Sequence, residues 1–320
     1  MNKVKNMEAI PEILVREAKE YGDENYIKFL NKSSERLEQM VNYGTHILDE
    51  GFKKAKGDTD VPLNLLFQKL LGELDAIDEL IKHSVLEPCS ILLRVLFEDM
   101  LYIFYLTEKD YERRSLSYLY YYYCAKLKEY ERYIIGTQRN IEFTKKFSND
   151  RRIKKNFLTN PIEIERLAKN KIKNLNSLLE KEIFVEIKQE YLRLKKEKKR
   201  FSWYTLFTGC RRIEDLASYL KFEIMYEIIY RDWSQSVHST DLITGKLGLN
   251  KEGKSSVYQI RFSFNSKSIV LNTINIARES FTEYSNFISR DTGFRFKTWY
   301  RKEMKPFIEE LVKLNVKYDL

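Results

Sequence analysis

The chain has 320 residues, and its 11 glycines and 5 prolines are too few for the many tight turns of a β-sandwich or β-barrel. Three cysteines, none of them in a Cys-x-x-Cys pair, argue against a disulfide framework and against a cysteine-based zinc site. The net charge of +9 is compatible with a polyanionic partner such as nucleic acid.

Apolar residues that recur at three- and four-residue steps predict helices along most of the chain. In residues 63–83 the apolar positions share one helical face, and they are Leu66, Leu70, Leu74, Ile77 and Ile81. The predicted helices cover residues 7–21, 25–56, 63–83, 88–106, 110–135, 161–200, 210–238, 267–288 and 299–316.

Three stretches differ from this helical pattern. Residues 144–160 are polar and basic, residues 242–256 are loop-like, and residues 257–264 alternate as in one short strand. The helix at 88–106 is apolar almost all round, so we expect it to be buried.

These patterns predict an all-α fold, a bundle of long antiparallel helices in a single domain, 1–320. The expected parts are an N-terminal helical extension (1–60), a core in two pieces (62–140 and 201–290), a basic helical insertion (141–200) and a C-terminal helix (291–320).

The sequence favours a cytoplasmic protein. No apolar run reaches the roughly 18 residues that a membrane span needs, and the first twenty residues lack the apolar core of a signal peptide. The odd number of cysteines fits a reducing compartment. We therefore expect no membrane partner.

Positive charge is concentrated in the insertion. Residues 141–200 contain eighteen Lys and Arg against nine Asp and Glu, a surplus equal to that of the whole chain. Such a stripe favours a nucleic acid partner, although a solvated helix face is the alternative. The candidate phosphate-binding side chains lie at its end and are Arg193, Lys195, Lys196, Lys198, Lys199 and Arg200.

The strongest candidate for chemistry is an arginine and a histidine seven residues apart. Arg231 and His238 lie in the segment YRDWSQSVHST, and on a continuous helix seven steps bring side chains to nearly the same face. Histidine exchanges protons near neutral pH, and arginine forks onto phosphate oxygens. His238 would take the proton from an RNA 2′-hydroxyl or donate one to the leaving oxygen. Arg231 would stabilise charge at phosphorus.

This pattern resembles the signature of the HEPN superfamily, which is an Arg, four to six residues, and then a His. The residue after the Arg is usually polar in that family, as Asp232 is here. The resemblance implies a helical core of HEPN type, a homodimer and metal-independent ribonuclease activity of the kind found in toxin–antitoxin, CRISPR and phage-defence systems.

A wider resemblance covers residues 65–240 and is to an uncharacterised bacterial family grouped near the HEPN proteins. It rests on the helix pair ELDAIDELIKHSVLEPCSILLRVLFEDMLYIFYL, on Trp203 with the stretch RRIEDLA, and on Ser234 four residues before His238. The resemblance also favours charged side chains at Arg94 and Glu98. It makes Asp232 and Ser234 supporting residues of the site.

Arg94 and Glu98 are spaced i, i+4 in the buried helix, where an ionised group is costly unless it is paired. They would either clamp two helices together or line the cleft of Arg231 and His238. In the second case Arg94 would bind phosphate and Glu98 would orient His238 or hold an arginine.

We carry two hypotheses for function. The first is a HEPN-like endoribonuclease that acts as a toxin or anti-phage defence effector. It would bind RNA, need no metal or cofactor, and be regulated by an inhibitor or a defence-system partner protein. The second is a non-catalytic helical sensor or scaffold that binds a protein or nucleic acid. They differ in whether Arg231 and His238 share a solvent-reached basic cleft.

Overall fold

The structure is a computed structural model, and it is all-α except for one short hairpin, which confirms the predicted helical bundle. It describes residues 10, 13–14, 23–150, 160–197, 200–231, 247–249, 255–257, 260–261 and 265–314. Contacts along the chain separate two compact units, which we call the main unit (1–109 and 213–320) and the inserted unit (110–212). The predicted basic insertion, 141–200, lies within the inserted unit.

Four helices of the main unit confirm the predicted bounds within a few residues. Asp23 caps the first of them by accepting a 2.8 Å hydrogen bond from the Tyr26 amide, and Pro62 lies in the first turn of the second. These helices are α1 (Glu24–Lys54), α2 (Val61–Lys82), α3 (Cys89–Glu108) and, in the second part of the unit, the long helix Ser266–Ile288.

The core of the main unit lies where α2, α3 and the helix Ser266–Ile288 meet. Phe67 stacks on Tyr284 with ring centroids 4.0 Å apart and meets Phe281 edge-on at 5.0 Å. The buried Tyr284 hydroxyl donates a 2.7 Å hydrogen bond to Asn64 Oδ1. Aromatic packing thus joins the two chain segments of the unit, and the Tyr284 hydroxyl within it has a hydrogen-bond partner.

The inserted unit has its own core, in which apolar faces of its helices and turns meet. Its described elements are α4 (Tyr111–Tyr130), a 3₁₀ turn (Glu131–Tyr133), α5 (Gln138–Asn149), α6 (Pro161–Leu179), a 3₁₀ turn (Glu182–Phe184), α7 (Val185–Lys196) and a 3₁₀ turn (Trp203–Thr205). The buried core residues are Leu116, Leu119, Tyr120, Leu179, Phe184, Ile187, Tyr191, Leu194 and Leu206.

One prediction for this unit was wrong. The single helix predicted at 161–200 is two helices, because the backbone turns extended at Lys181. This break lets Leu179 and Phe184 both face the core. The start of the polar, basic stretch, residues 144–149, lies in α5, which Thr137 caps by accepting a 3.1 Å hydrogen bond from the Asn140 amide.

The remaining described elements belong to the main unit. They are α8 (Ile213–Tyr219), α9 (Glu223–Met225) with a π-helical turn (Tyr226–Arg231), β1 (Leu247–Leu249), β2 (Ser255–Val257), α10 (the helix Ser266–Ile288), α11 (Arg290–Trp299) with a π-helical turn (Tyr300–Met304), and α12 (Lys305–Lys313).

Two further corrections concern these elements. β1 and β2 pair antiparallel, so the strand ends at Val257 instead of starting there, and Ile260 and Arg261 form a turn. The last helical region begins at Arg290 rather than near 299, because Ser289 caps it with a 3.1 Å hydrogen bond from the Thr292 amide. The predicted helix at 7–21 lies almost entirely outside the described residues.

Within the part of the chain that the structure describes, every helix is too short or too polar to cross a bilayer.

An acidic side chain is buried between α2 and α3. The Asp99 side chain is 3% exposed, and Lys69 bonds to it and, at 2.7 Å, to Glu73. Burial, together with the negative charge of Glu73, raises the pKa of Asp99 from near 3.8 to about 8, although Lys69 opposes the shift. Two carboxyl groups therefore share the ammonium group of one half-exposed lysine.

We expect this carboxyl to make stability fall as pH rises. The protonated Asp99 carboxyl adds to the free energy of unfolding. This addition is complete below the unfolded pKa near 3.8, and it is lost as pH rises through the folded pKa of about 8. Stability should therefore decrease steadily with pH between these two pKa values. Denaturant unfolding of the wild type and of Asp99→Asn should therefore show a flatter pH profile for the variant.

The matched control for that experiment is Asp49→Asn, which changes an exposed aspartate paired with Lys53 on α1. Its profile should follow the wild type. Parallel profiles for the wild type and Asp99→Asn would show that the buried carboxyl does not titrate in this range.

Two glycines of the main unit should respond to alanine in opposite directions. A Cβ at Gly44 on α1 would lie 2.7 Å from Phe281 Cζ and overlap the Leu71 side chain, whereas one at Gly72 on α2 would meet nothing within 4 Å. Gly44→Ala should cost about 1–3 kcal/mol by overpacking. Gly72→Ala should gain about 0.5–1 kcal/mol from helix propensity. The free energy of unfolding measures both, and a gain for Gly44→Ala would contradict the close packing.

Candidate functional site

The segment that carries Arg231 is not the continuous helix that was predicted over 210–238. α8 ends because Lys221 takes a left-handed conformation (φ 65°) and the Phe222 amide donates back to the Ala217 carbonyl at 2.7 Å. This six-to-one bond is the usual end of a helix. The chain then restarts as α9 and widens into the π-helical turn Tyr226–Arg231. π-Helical turns are rare in proteins, and those that occur often lie at functional sites.

The π-helical turn brings aromatic and charged side chains to one face. The rings of Tyr226 and Tyr230 stack with centroids 5.0 Å apart and an interplanar angle of 21°. Arg231 lies near the same stack, with its guanidinium carbon 5.9 Å from the Tyr226 ring centroid. A regular α-helix already places positions 226 and 230 on one face, and the extra residue per turn also brings position 231 towards position 226.

Tyr230 connects this turn to α3. Its hydroxyl donates a 2.8 Å hydrogen bond to Glu98 Oε1 and accepts one of 2.6 Å from Arg94 Nη2. The guanidinium carbon of Arg94 also lies 4.4 Å from the Tyr230 ring centroid. Arg94 Nε and Glu98 Oε1 are 3.6 Å apart, so the hydroxyl makes shorter contacts with each than they make with each other.

The electrostatics of the network keep Tyr230 neutral. The residue is 9% exposed, and this burial, followed by the charge and hydrogen bond of Glu98, raises the pKa of Tyr230 to about 12 despite the opposing Arg94. A neutral phenol can donate to the carboxylate while it accepts from the guanidinium. Arg94 and Glu98 keep side chains 23% and 26% exposed, so solvent reaches both.

Arg231 is the most exposed member of the site, with 55% of its side chain accessible. It forms ion pairs with Glu227 Oε2 at 3.0 Å and with Glu214 Oε1 at 3.5 Å. Exposed ion pairs of this kind contribute at most about 1 kcal/mol each. A phosphate group can therefore compete for the guanidinium.

The structure brings Arg94, Glu98 and the residue next to Arg231 together in the main unit. Three other residues singled out by the sequence lie outside the described residues, namely Asp232, Ser234 and His238.

The basic residues at the end of α7 belong to the inserted unit. Arg193 is partly neutralised, since it forms ion pairs with Glu190 at 2.7 Å and with Glu197 at 2.9 Å. Lys195, Lys196 and Arg200 are exposed, and none of the three forms an ion pair within the described chain. Lys198 and Lys199 lie outside the described residues.

Among the residues described by the structure, no group of three or more His, Cys, Asp or Glu side chains is arranged to hold a metal ion.

Sequence reasoning did not identify Tyr230 as a member of the site. The signal that could have found it is the pair Tyr230–Arg231 four residues after Tyr226, together with Arg94 and Glu98 in a mostly apolar helix. A partly buried Arg and Glu favour a third polar partner, and tyrosine offers both a donor and an acceptor.

We expect the Tyr230 hydroxyl and Glu98 to be energetically coupled. A double-mutant cycle of Tyr230→Phe and Glu98→Gln should give a coupling free energy of about 1 kcal/mol in unfolding experiments, since the bond joins a phenol to a partly exposed carboxylate. The control cycle pairs Tyr230→Phe with Glu79→Gln, a change at an exposed residue of α2. It should be additive within about 0.5 kcal/mol. Equal coupling in both cycles would contradict a specific bond.

Comparisons with known proteins add a family to this geometry. No curated protein and no solved structure matches the chain. Residues 60–255 match the family described as "Family of unknown function (DUF5677)". The match spans α2, α3, the inserted unit and the π-helical turn with Arg231, and thus more than half of the chain. The chain therefore belongs to the family of unknown function DUF5677.

Proposed function

We propose that this protein is a metal-independent, HEPN-like endoribonuclease that serves as a toxin or anti-phage defence effector. The observation that supports the proposal is the Tyr230 hydroxyl, which joins Arg94 and Glu98 to the turn that carries Arg231. Phosphodiester cleavage needs cationic groups that are held in place beside a proton donor or acceptor.

In this mechanism Arg231 neutralises charge on the scissile phosphate. Its two carboxylate partners are exposed, so the guanidinium can exchange Glu214 or Glu227 for a phosphate oxygen. His238 is the acid and base that moves the proton of the 2′-hydroxyl and protonates the leaving oxygen. The need for that hydroxyl selects RNA over DNA.

Arg94 and Glu98 act as positioning residues through Tyr230. The Glu98 carboxylate fixes the phenol, and the phenol holds the Arg94 guanidinium across its ring. This arrangement leaves about a quarter of each charged side chain open to solvent, where an RNA backbone can approach.

RNA, a second copy of the chain and a regulatory protein are the partners in this proposal. The exposed cations Lys195, Lys196 and Arg200 support electrostatic attraction of the RNA backbone. A homodimer would bring two Arg and His pairs together. An inhibitor or a defence-system partner would keep the effector inactive until a trigger arrives.

The second candidate is a non-catalytic helical sensor or scaffold that binds a protein or nucleic acid. The observation that favours it is the satisfaction of the charged groups: Arg231 has two carboxylate partners, and Tyr230 bridges Arg94 and Glu98. In that case these residues hold α3 against the π-helical turn and take part in no reaction.

RNA cleavage in EDTA distinguishes the two candidates. The full chain should cleave single-stranded RNA without divalent metal and leave the same sequence in DNA intact, because only RNA carries the 2′-hydroxyl. His238→Ala should lower the cleavage rate by about 100-fold or more. Arg231→Gln should do so by a similar factor, since it removes charge stabilisation at phosphorus. Gel analysis of end-labelled RNA measures the rates.

The matched control is His83→Ala, which removes an exposed imidazole at the end of α2 and should leave the rate unchanged. Circular dichroism establishes equal folding of all variants. Absence of cleavage by the wild type, or equal rates for the wild type and His238→Ala, would leave the non-catalytic module as the function.

A further inference from the structure

The inserted unit contains a cavity of about 370 Å³ that the proposed function does not use. It lies between α4, the 3₁₀ turn Glu131–Tyr133, α5 and α7. The side chains that line it are Tyr121, Ala125, Lys128, Glu129, Arg132, Tyr133, Arg139 and Tyr191. Its size is near the lower end of the roughly 300–1,000 Å³ of small-molecule sites.

Two half-buried tyrosines and one small residue shape the cavity. Tyr121 and Tyr133 line it with aromatic rings, and Ala125 leaves room beside them on α4. The third tyrosine of the lining, Tyr191, is buried in the core of the unit, and its hydroxyl accepts a 3.2 Å hydrogen bond from Lys128 Nζ. Aromatic faces of this kind stack on flat rings such as nucleic acid bases.

Carboxylates near the cavity neutralise only part of its positive charge. Glu131 pairs with Arg139 at 2.7 Å, and Glu129 pairs with Lys126 at 2.8 Å. Within the residues that the structure describes, neither Lys128 nor Arg132 forms an ion pair with a carboxylate. The cavity therefore combines flat aromatic walls with two cations whose charge no acidic side chain balances.

A second cavity in the same unit makes a useful contrast. It measures about 440 Å³ and contains Arg113, but this arginine is paired with both Asp110 and Glu186. It has no surplus of positive charge and only one aromatic side chain, Tyr111, in its lining. Volume alone thus does not single out a ligand, whereas the charge and the rings of the first cavity do.

We propose that the cavity around Ala125 binds a single nucleotide. Lys128 and Arg132 bind its phosphate, for which guanidinium and ammonium groups are the preferred partners. The base stacks against the tyrosines. The nucleotide is either free or the phosphorylated end of an RNA strand, and both present the same chemistry. The residues of this site belong to the inserted unit and Arg231 belongs to the main unit, so the proposal does not rest on the proposed ribonuclease activity.

Binding of nucleoside 5′-monophosphates to the full chain tests the proposal. Calorimetric titration with AMP, GMP, CMP and UMP should find at least one that binds about tenfold more tightly than inorganic phosphate and than its own nucleoside, because each of these supplies only half of the contacts. Arg132→Gln should weaken that nucleotide about tenfold. Ala125→Leu should abolish binding, since the added side chain occupies the cavity.

The control variant is Arg166→Gln, which removes an exposed arginine of α6 that is paired with Glu163 and should leave affinity unchanged. Thermal melts establish that the variants fold. A 5′-phosphorylated RNA trinucleotide that competes with the nucleotide in wild type but not in Ala125→Leu identifies a strand end as the source. Lack of competition identifies the free nucleotide.

Three results would overturn the proposal. The first is that none of the four nucleotides binds with a dissociation constant below about 1 mM, an affinity of roughly 4 kcal/mol. The second is that inorganic phosphate or the nucleoside binds as tightly as the nucleotide. The third is that binding survives both Arg132→Gln and Ala125→Leu.

Discussion

The burial of α3 is the constraint on which the main unit depends. The helix is covered on most sides, yet it carries ionisable residues at 94, 98 and 99, whose charges cost free energy unless neighbours compensate them. Asp99 finds Lys69 of α2, and Arg94 and Glu98 share the Tyr230 hydroxyl. The compensating groups come from two different elements, α2 and the π-helical turn. These polar contacts fix which face of α3 meets each element.

The long helices of the main unit could be predicted from the sequence because their burial pattern is periodic. α2 shows this best, since every apolar residue of its stripe from Leu66 to Ile81 is buried. Predictions were less accurate where backbone conformation rather than periodicity decides. The left-handed Lys221 and the extended Lys181 end helices without glycine or proline, so nothing in local composition marks these breaks.

Part of the candidate site was accessible to the same reasoning. Charged residues in an apolar helix are conspicuous, and this directed attention to Arg94 and Glu98. Tyr230 was not predicted as a site residue, because its contacts depend on the π-helical turn. One extra residue in a turn leaves no periodic pattern in the sequence. The nucleotide cavity was not predicted from the sequence for another reason. A run of tyrosines such as 118–123 indicates packing, and only tertiary structure separates Tyr120 in the core from Tyr121 at a cavity wall.

The chain leaves the main unit after Lys109 and returns at Ile213. Phe67 can therefore pack on Phe281 and Tyr284 only after the whole inserted unit has been synthesised. The core residues of the inserted unit lie closer together in the chain, between Leu116 and Leu206. At a ribosomal rate of about 5–20 residues per second, α1–α3 remain without their final partner for roughly ten to forty seconds. During that time the apolar surface of α2 and α3 that the helix Ser266–Ile288 covers in the folded unit has no such cover.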